Sequence, residues 1–257
     1  MKARIRFTKS DALRYVGHLD LLRFFQKAMR RAHIPMKFSE GFHPHQIMSF
    51  ASPLGVGVTS QGEYLDIEIT EEIDAKEAVK ALNEQMVDGV SIRSFSYLPD
   101  NAKNSMASLA ACDYLVYFKR GLDSSCDYVG AVKDFYESKE PIVVTKKTKK
   151  SEKEIDIRPM ILDMKVGCVG AMDELLPSGY ENPLPYLPME DGFCLNDNDP
   201  MFYLFLTSGS MDNLKPELLM EALHQKMGVA FDPSNLGIHR LDMFAADENG
   251  FVSMSKG

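Results

Sequence analysis

In the first hundred residues the hydrophobic period changes from two to 3.6 and back again, and it does so twice. Ala3, Ile5 and Phe7 alternate with arginines, which predicts a half-buried strand, and residues 19–33 predict an amphipathic helix that ends before Pro35. Strands are then predicted at residues 47–51, 63–69 and 90–97, with a helix between the last two that Asp74 caps and Gly89 ends. This order of strand, helix, strand, strand, helix, strand predicts a split β-α-β, or ferredoxin-like, unit.

A related order follows after a polar segment of small residues. Strands are predicted at 114–118, 201–207 and 238–244, helices at 124–138 and 214–227, and a hairpin from 142–147 and 155–166. Residues 167–200 contain no lysine or arginine and predict an irregular insertion. The expected fold class is therefore α+β, with two ferredoxin-like domains in tandem, at residues 1–98 and 112–257, joined by a linker at 99–111.

The net charge of −8 is distributed unevenly. Residues 1–50 hold ten Lys/Arg and three Asp/Glu, about +7, so the rest of the chain carries about −15. No apolar run reaches the length of a membrane span, and the N-terminal residues lack a signal-peptide core. The four cysteines are widely spaced, which favours reduced thiols and a cytoplasmic protein. No cofactor motif is present, so we expect none.

The predicted helix at 19–33 places four cations opposite its apolar stripe. These residues, with three further cations that flank the helix in sequence, are candidates for binding the phosphates of RNA: Arg23, Lys27, Arg30 and Arg31, flanked by Lys9, Arg14 and Lys37. A solvated helix face without a ligand is the alternative.

Residues 38–45 follow this helix and predict a shaped loop. Gly41 permits a positive φ, and Pro44 restricts both itself and His43, so the loop would present Phe42, His43 and His45, with Ser39 at its start. These side chains are candidates for stacking on bases or for packing the loop. Together with His18, the two histidines could also act in acid–base catalysis; a metal site is not expected, because no cysteine or carboxylate cluster accompanies them.

A second basic segment lies in the predicted hairpin of the second domain. Its candidates for phosphate binding are Lys146, Lys147, Lys149, Lys150 and the neighbouring Arg158. A charged turn that keeps the hairpin soluble is the alternative, and Asp156 could pair with Arg158 because the two share a strand face. By the same reasoning, Arg4 and Arg6 could pair with Asp66 and Glu68 in the first sheet.

Several short motifs together resemble one family, the radical-SAM-linked proteins, a bacterial domain of unknown function. The motifs are Gly17-His18-Leu19-Asp20, Arg30-Arg31-Ala32, Phe38-Ser39-Glu40-Gly41-Phe42-His43-Pro44-His45, Ser49-Phe50-Ala51, Pro53-Leu54-Gly55-Val56-Gly57 and Glu63-Tyr64-Leu65-Asp66. The chain departs from the family pattern where Gly17 replaces a serine, His43 an asparagine and Gln46 a proline.

The resemblance implies a role beside a radical SAM protein, as a partner that presents an RNA substrate. The chain itself lacks the cysteine triad that holds the cluster of such an enzyme. We therefore expect a non-catalytic, RNA-binding protein that acts in RNA modification or in ribosome or tRNA maturation. Two alternatives stay open: a metal-independent endoribonuclease or RNA-modifying enzyme that uses His18 or His43, and an interaction subunit that docks through residues 167–200 without contacting RNA.

Overall fold

The structure is a computed structural model that describes residues 1–120, 126–147, 152–188, 195–209, 212–248 and 250–256. The fold is α+β, with a large, mostly antiparallel sheet and several helices, as the sequence predicts at this level. The chain divides into two compact units. The first comprises Met1–Ala110, Pro183–Pro188 and Arg240–Gly257, and the second Ala111–Asn182 and Met189–His239. Residues 240–257, predicted as part of the second domain, belong to the first compact unit.

The first unit is built from an antiparallel array of strands and the helices that follow them in sequence. Its elements are β1 (Lys2–Lys9), α1 (His18–Arg31), β2 (Met48–Phe50), β3 (Thr59–Glu68), α2 (Ala75–Asn83), β4 (Ile92–Leu98) and α3 (Ser105–Ser108). Strand β1 pairs with both β4 and β3, and β2 pairs with β3. The core forms where the alternate apolar residues of β1 meet the apolar stripe of α1. There the ring centroids of Phe7 and Phe25 are 4.8 Å apart.

The second unit contains β5 (Leu109–Phe118), which begins in the first unit, α4 (Tyr128–Glu137), β6 (Val143–Lys147), β7 (Glu152–Asp156), β8 (Ile161–Cys168), α5 (Met172–Leu175), β9 (Pro200–Thr207) and α6 (Pro216–Met227). Strand β9 pairs with β5 and β8, and β6 pairs with β7 as a separate two-stranded sheet. Strand β10 (Leu236–Asp247) begins in this unit and continues into the first, where β11 (Gly250–Ser253) pairs with it.

The predicted hairpin differs from the observed strands. The segment predicted as one strand from 155 to 166 divides at the 3-10 turn Arg158–Met160, so β7 pairs with β6 whereas β8 pairs with β9. Pro159 explains the break, because it removes a ladder donor and fixes its own φ. The strand β11 and the short helix α3 were not predicted, and α2 ends at Asn83 rather than near Gly89.

Gly89 has a different role from the predicted helix cap. Its φ is +89°, and a Cβ there would lie 2.6 Å from the carbonyl oxygen of Ser10. The carbonyl of Gly89 accepts a hydrogen bond from the Ser10 amide at 2.8 Å, so this glycine lets two backbone segments meet closely.

Candidate nucleic-acid interface

Helix α1 buries one side in the first unit and exposes cations on the other. Leu21, Phe25, Ala28 and Met29 are buried, whereas Arg23, Lys27 and Arg30 are exposed. Arg23 pairs with Asp20 at 3.3 Å, but both side chains are about seven-tenths exposed, so this pair is weak. Neither Lys27 nor Arg30 pairs with a carboxylate within the described ranges. We call Arg23, Lys27 and Arg30 the basic face.

Arg31 is held by the protein itself. Its guanidinium donates to the side-chain oxygen and to the backbone carbonyl of Gln85, both at 3.1 Å. These bonds tie the end of α1 to the segment after α2, so Arg31 acts first as a structural link.

Two of the predicted flanking cations lie in the interior. Lys9 is buried and donates to the carbonyl of Val16 at 2.9 Å. Burial lowers the pKa of Lys9, and Glu63 counteracts this in part. Arg14 is also buried, and its guanidinium donates to the carbonyl of Asp11 and the hydroxyl of Tyr15, each at 2.9 Å. The expectation that both cations flank an exposed surface is therefore corrected, because their side chains satisfy backbone and side-chain acceptors inside the fold.

Lys37 lies on the surface and pairs with Glu68 at 2.9 Å. Glu68 was expected to pair with an arginine of β1. Of the two pairs predicted there, the structure contains the one between Arg4 and Asp66, with contacts of 2.8 and 3.2 Å.

A deeper ion pair, between Glu63 and Arg240, was not predicted because 177 residues separate the partners. Burial raises the pKa of Glu63, and Arg240 counteracts this in part.

The loop at residues 38–46 is closed at its base by backbone and side-chain hydrogen bonds; we call it the clasped loop. Phe38 and Gln46 form a β-bridge. The Ser39 amide donates to the His45 carbonyl at 2.8 Å, the His45 amide donates to the Ser39 hydroxyl at 3.1 Å, and that hydroxyl lies 2.9 Å from His45 Nδ1. The predicted shape is thus defined chiefly by Ser39 and His45.

The tip of the clasped loop projects an aromatic ring. Gly41 has a φ of +107°, as its position in the predicted turn requires. Phe42 is fully exposed, and His43 and Pro44 are exposed beside it. A fully exposed phenylalanine on a loop with a closed base is a suitable platform for stacking a flat ligand.

His18 occupies a different environment from the loop histidines. It is the first residue of α1 and packs edge-on against Phe50, with ring centroids 5.1 Å apart. The contacts of His43 and His45 lie within the clasped loop. Within the described ranges, no group of three or more His, Cys, Asp or Glu side chains is arranged to hold a metal ion.

Most of the predicted hairpin site lies outside the described residues. Lys149 and Lys150 are not described, and of Lys146 and Lys147 only the backbone is described, which belongs to β6. Arg158 donates to the carbonyl of Phe135 at 3.1 Å, and its guanidinium lies 5.1 Å from the ring centroid of Tyr136. The sequence left open a side-chain pair between Arg158 and Asp156. In the structure, the Asp156 carboxylate instead accepts the amides of Ile142 and Arg158 at the base of the hairpin.

One exposed aromatic residue of the first unit, Tyr15, was not among the candidates predicted from the sequence. Tyr15 is 56% exposed, and the guanidinium of Arg14 lies 4.4 Å from its ring centroid. The signal in the sequence is an Arg-Tyr pair directly before the Gly17-His18-Leu19-Asp20 motif. A single such pair is too common to be recognised without the structure.

Comparisons with known proteins place the chain in a family. Residues 2–185 match the family of uncharacterized proteins conserved in bacteria that is designated DUF2344, and the chain belongs to it. No curated protein matches the sequence. Among solved structures, a crystal structure of an unknown protein from Galdieria sulphuraria is 11% identical over 98% of both chains, with a TM-score of 0.22. This last similarity supports no inference about fold or activity. No described helix has the length and apolar character needed to cross a bilayer.

Proposed function

We propose that the protein binds RNA without modifying it, through the basic face and the clasped loop of the first unit. The observation that carries the proposal is that Lys27 and Arg30 are exposed and have no carboxylate partner among the described residues of an acidic protein. A solvated helix face normally has acidic side chains three or four residues from its cations. On this face only Arg23 has such a neighbour, Asp20.

The geometry of a helix suits a phosphate chain. Four residues advance a helix by about 6 Å, so Arg23 and Lys27 are spaced much like successive phosphates of an extended strand. Arginine can bind a phosphate with two parallel hydrogen bonds. Phe42 at the tip of the clasped loop then supplies a ring for an unpaired base, which is how proteins read single-stranded RNA.

The proposal includes a partner and a setting. We propose that the protein presents RNA to a radical SAM protein during RNA modification or during ribosome or tRNA maturation in the cytoplasm. The support is the resemblance carried by the motifs of residues 17–66, which include the start of α1, the clasped loop and part of β3. Co-purification of the tagged protein from cells, with and without nuclease, tests whether a radical SAM protein accompanies it.

We also propose that each unit is a variant of the ferredoxin-like fold. In the first unit, the support is the antiparallel strand order β4-β1-β3 with β2 on β3, and helices that follow β1 and β3 in the chain. In the second unit, β9 lies between β5 and β8, and helices follow β5 and β9.

The experiment measures RNA affinity as a function of salt. Replacing Arg23, Lys27 and Arg30 with glutamine removes three phosphate contacts, so the slope of log K against log salt should fall by about 2 for single-stranded RNA. Glutamate at the same positions should abolish binding. A matched triple variant, Lys76→Gln, Lys80→Gln and Lys133→Gln, removes three exposed cations from α2 and α4 and should keep the wild-type slope.

Two results would count against the proposal. Equal slopes for the two triple variants would mean that the basic face does not contact phosphates. RNA that is cleaved or altered in mass after incubation with the purified protein would contradict the non-catalytic role. It would instead favour an enzyme that uses His18 or His43, which single alanine variants would then distinguish.

A further inference from the structure

The hairpin of β6 and β7 leaves one edge of β6 without a partner strand. The two strands form a separate sheet in regular antiparallel register, and no other described strand pairs with β6. The Ile157 amide donates to the Ile142 carbonyl at 2.9 Å. Hydrogen-bonded and non-bonded pairs alternate along an antiparallel ladder, so the backbone groups of Val144 face β7. The N–H and C=O groups of Val143 and Thr145 therefore point away from β7, at the outer edge of β6.

This outer edge has the properties of a site for strand addition. Val143 is 58% exposed and Thr145 is also exposed, whereas Val144 between them is buried. The outward donors and acceptors recur every second residue, about 7 Å apart. An extended peptide presents complementary groups at the same spacing, so it can pair with such an edge through main-chain hydrogen bonds.

A pocket adjoins the same strand within the second unit. Its volume is about 230 Å³, and its lining includes Ile142 and Val143 but no residue of β7. Phe135 of α4 and Ala222 of α6 are buried and give the pocket apolar walls. The two charged residues in the lining have opposite signs, so the pocket itself selects no charge. Sites for small molecules have volumes of roughly 300–1,000 Å³; this smaller pocket suits a single side chain of a peptide that pairs with β6.

The other end of the hairpin is cationic. In the register, Lys146 of β6 is directly opposite Lys153 of β7, and like charges at opposite positions destabilise a hairpin. Glu152 and Glu154 alternate with Lys153 along β7 and so belong to the other face of the hairpin. An acidic residue of a ligand would relieve the repulsion between the two lysines. Strand residues advance by about 3.3 Å, so Lys146 lies about 10 Å along β6 from Val143 at the pocket.

We propose that the outer edge of β6 binds an extended segment of a partner protein by strand addition, with one apolar side chain of that segment in the pocket. The spacing between the pocket and the lysine pair adds a requirement: the segment carries an acidic residue about three positions from the apolar one. Alternating backbone donors and acceptors match a peptide strand rather than a nucleic acid. The surface lies in the second unit and does not include the basic face, so this inference is independent of the proposed function.

The test is a selection of peptides on the immobilised full-length protein, from a phage-displayed library of random sequences of about twelve residues. Enriched peptides should combine an aliphatic or aromatic residue with Asp or Glu about three positions away. Synthetic copies should bind Thr145→Pro about ten-fold more weakly than the wild type, or not at all, as measured by fluorescence anisotropy. Proline removes an outward N–H and places its ring at the edge, but it costs no hydrogen bond to β7.

The matched control is Thr145→Val, which keeps the amide and the branched shape of the side chain and should bind the peptides like the wild type. Protection of the Val144 amide from hydrogen exchange checks that the hairpin persists in each variant. A second measurement uses only the wild-type protein, in case Thr145→Pro disrupts the hairpin. N-methylation of successive peptide amides should abolish binding at every second position, because only alternate amides of an added strand face β6.

Three results would overturn the inference. Absence of enriched peptides, or equal peptide affinity in Thr145→Pro and the wild type with the hairpin intact, would mean that the lysines merely protect the edge from pairing. N-methylation that weakens binding equally at all positions would exclude strand addition. Loss of RNA affinity or of self-association in Thr145→Pro, with no peptide selected, would assign the edge to a nucleic acid or to a second copy of the chain instead.

Discussion

Acidification should destabilise this protein through one histidine of β10. His239 is completely buried, and burial lowers its pKa to about 3, against 6.5 for an exposed histidine. Between these two values the unfolded chain binds a proton that the folded chain does not, so the free energy of unfolding falls as the pH falls. The loss is about 1.4 kcal/mol per pH unit well below 6.5, which amounts to about 2 kcal/mol at pH 5 and about 3 kcal/mol at pH 4.

Urea unfolding at pH 8 and pH 5 measures this contribution. The difference in unfolding free energy between the two pH values should be about 2 kcal/mol smaller in His239→Gln than in the wild type. The control is His43→Gln: that imidazole is exposed in the folded and unfolded chain alike, so its removal should leave the difference intact. Other buried groups, including Glu63, whose raised pKa acts in the opposite direction, are present in all three proteins and cancel.

A second measurement covers the case in which His239→Gln does not fold. The ring-proton chemical shift of His239 in the wild type should stay constant from pH 8 down to the acid unfolding transition. Titration of that resonance near pH 6.5 in the folded protein would refute the reasoning. So would a difference in unfolding free energy between pH 8 and pH 5 that is the same in His239→Gln as in the wild type.

Two further predictions concern the first unit. Arg240→Met should lower the unfolding free energy by about 3–5 kcal/mol, because it removes the guanidinium that pairs with the buried Glu63 carboxylate. The double variant Glu63→Leu, Arg240→Met should recover most of this loss in urea unfolding. Asp74→Ala should lower it by about 1 kcal/mol, because Asp74 caps α2 by accepting the amides of Lys76 and Glu77; Asp74→Asn, which retains an acceptor, should cost clearly less, and equal losses would argue against the cap.

The elements with strong local signals could be predicted from the sequence. The alternation of Ala3, Ile5 and Phe7 and the stripe of α1 follow from side chains that must reach one core, so their periods are visible without the structure. Asp74 was predicted as a cap because its carboxylate can reach the amides two and three residues ahead, a purely local relation. The clasped loop was predicted from Gly41 and Pro44, although the bonds that close it come from Ser39 and His45.

Contacts between residues that are far apart in the sequence had no such local signal. The pair between Glu63 and Arg240 depends on β10 returning to the first unit, and no local pattern in either segment indicates the other. The break between β7 and β8 did have a local signal in Pro159, but the apolar residues on either side of it predicted one continuous strand. The prediction followed the apolar periodicity, whereas in the structure the strand ends at Pro159 because proline has no backbone N–H to donate to a sheet.

The charge count of the first fifty residues overstates the basic surface, and this limits the RNA affinity that the proposed function predicts. Several of the ten cations act within the protein, namely Arg4, Lys9, Arg14, Arg31 and Lys37, which contact Asp66, Val16, Asp11, Gln85 and Glu68 respectively. The basic face retains three cations, so the proposed function predicts that it contributes about 2 to the salt slope. All seven cations predicted on and beside the helix would have contributed about 5. A wild-type slope well above 2 would therefore require cations beyond α1. The lysines of residues 146–150 are the candidates for that contribution, and their glutamine variants would then lower the slope while the basic face continued to supply its share.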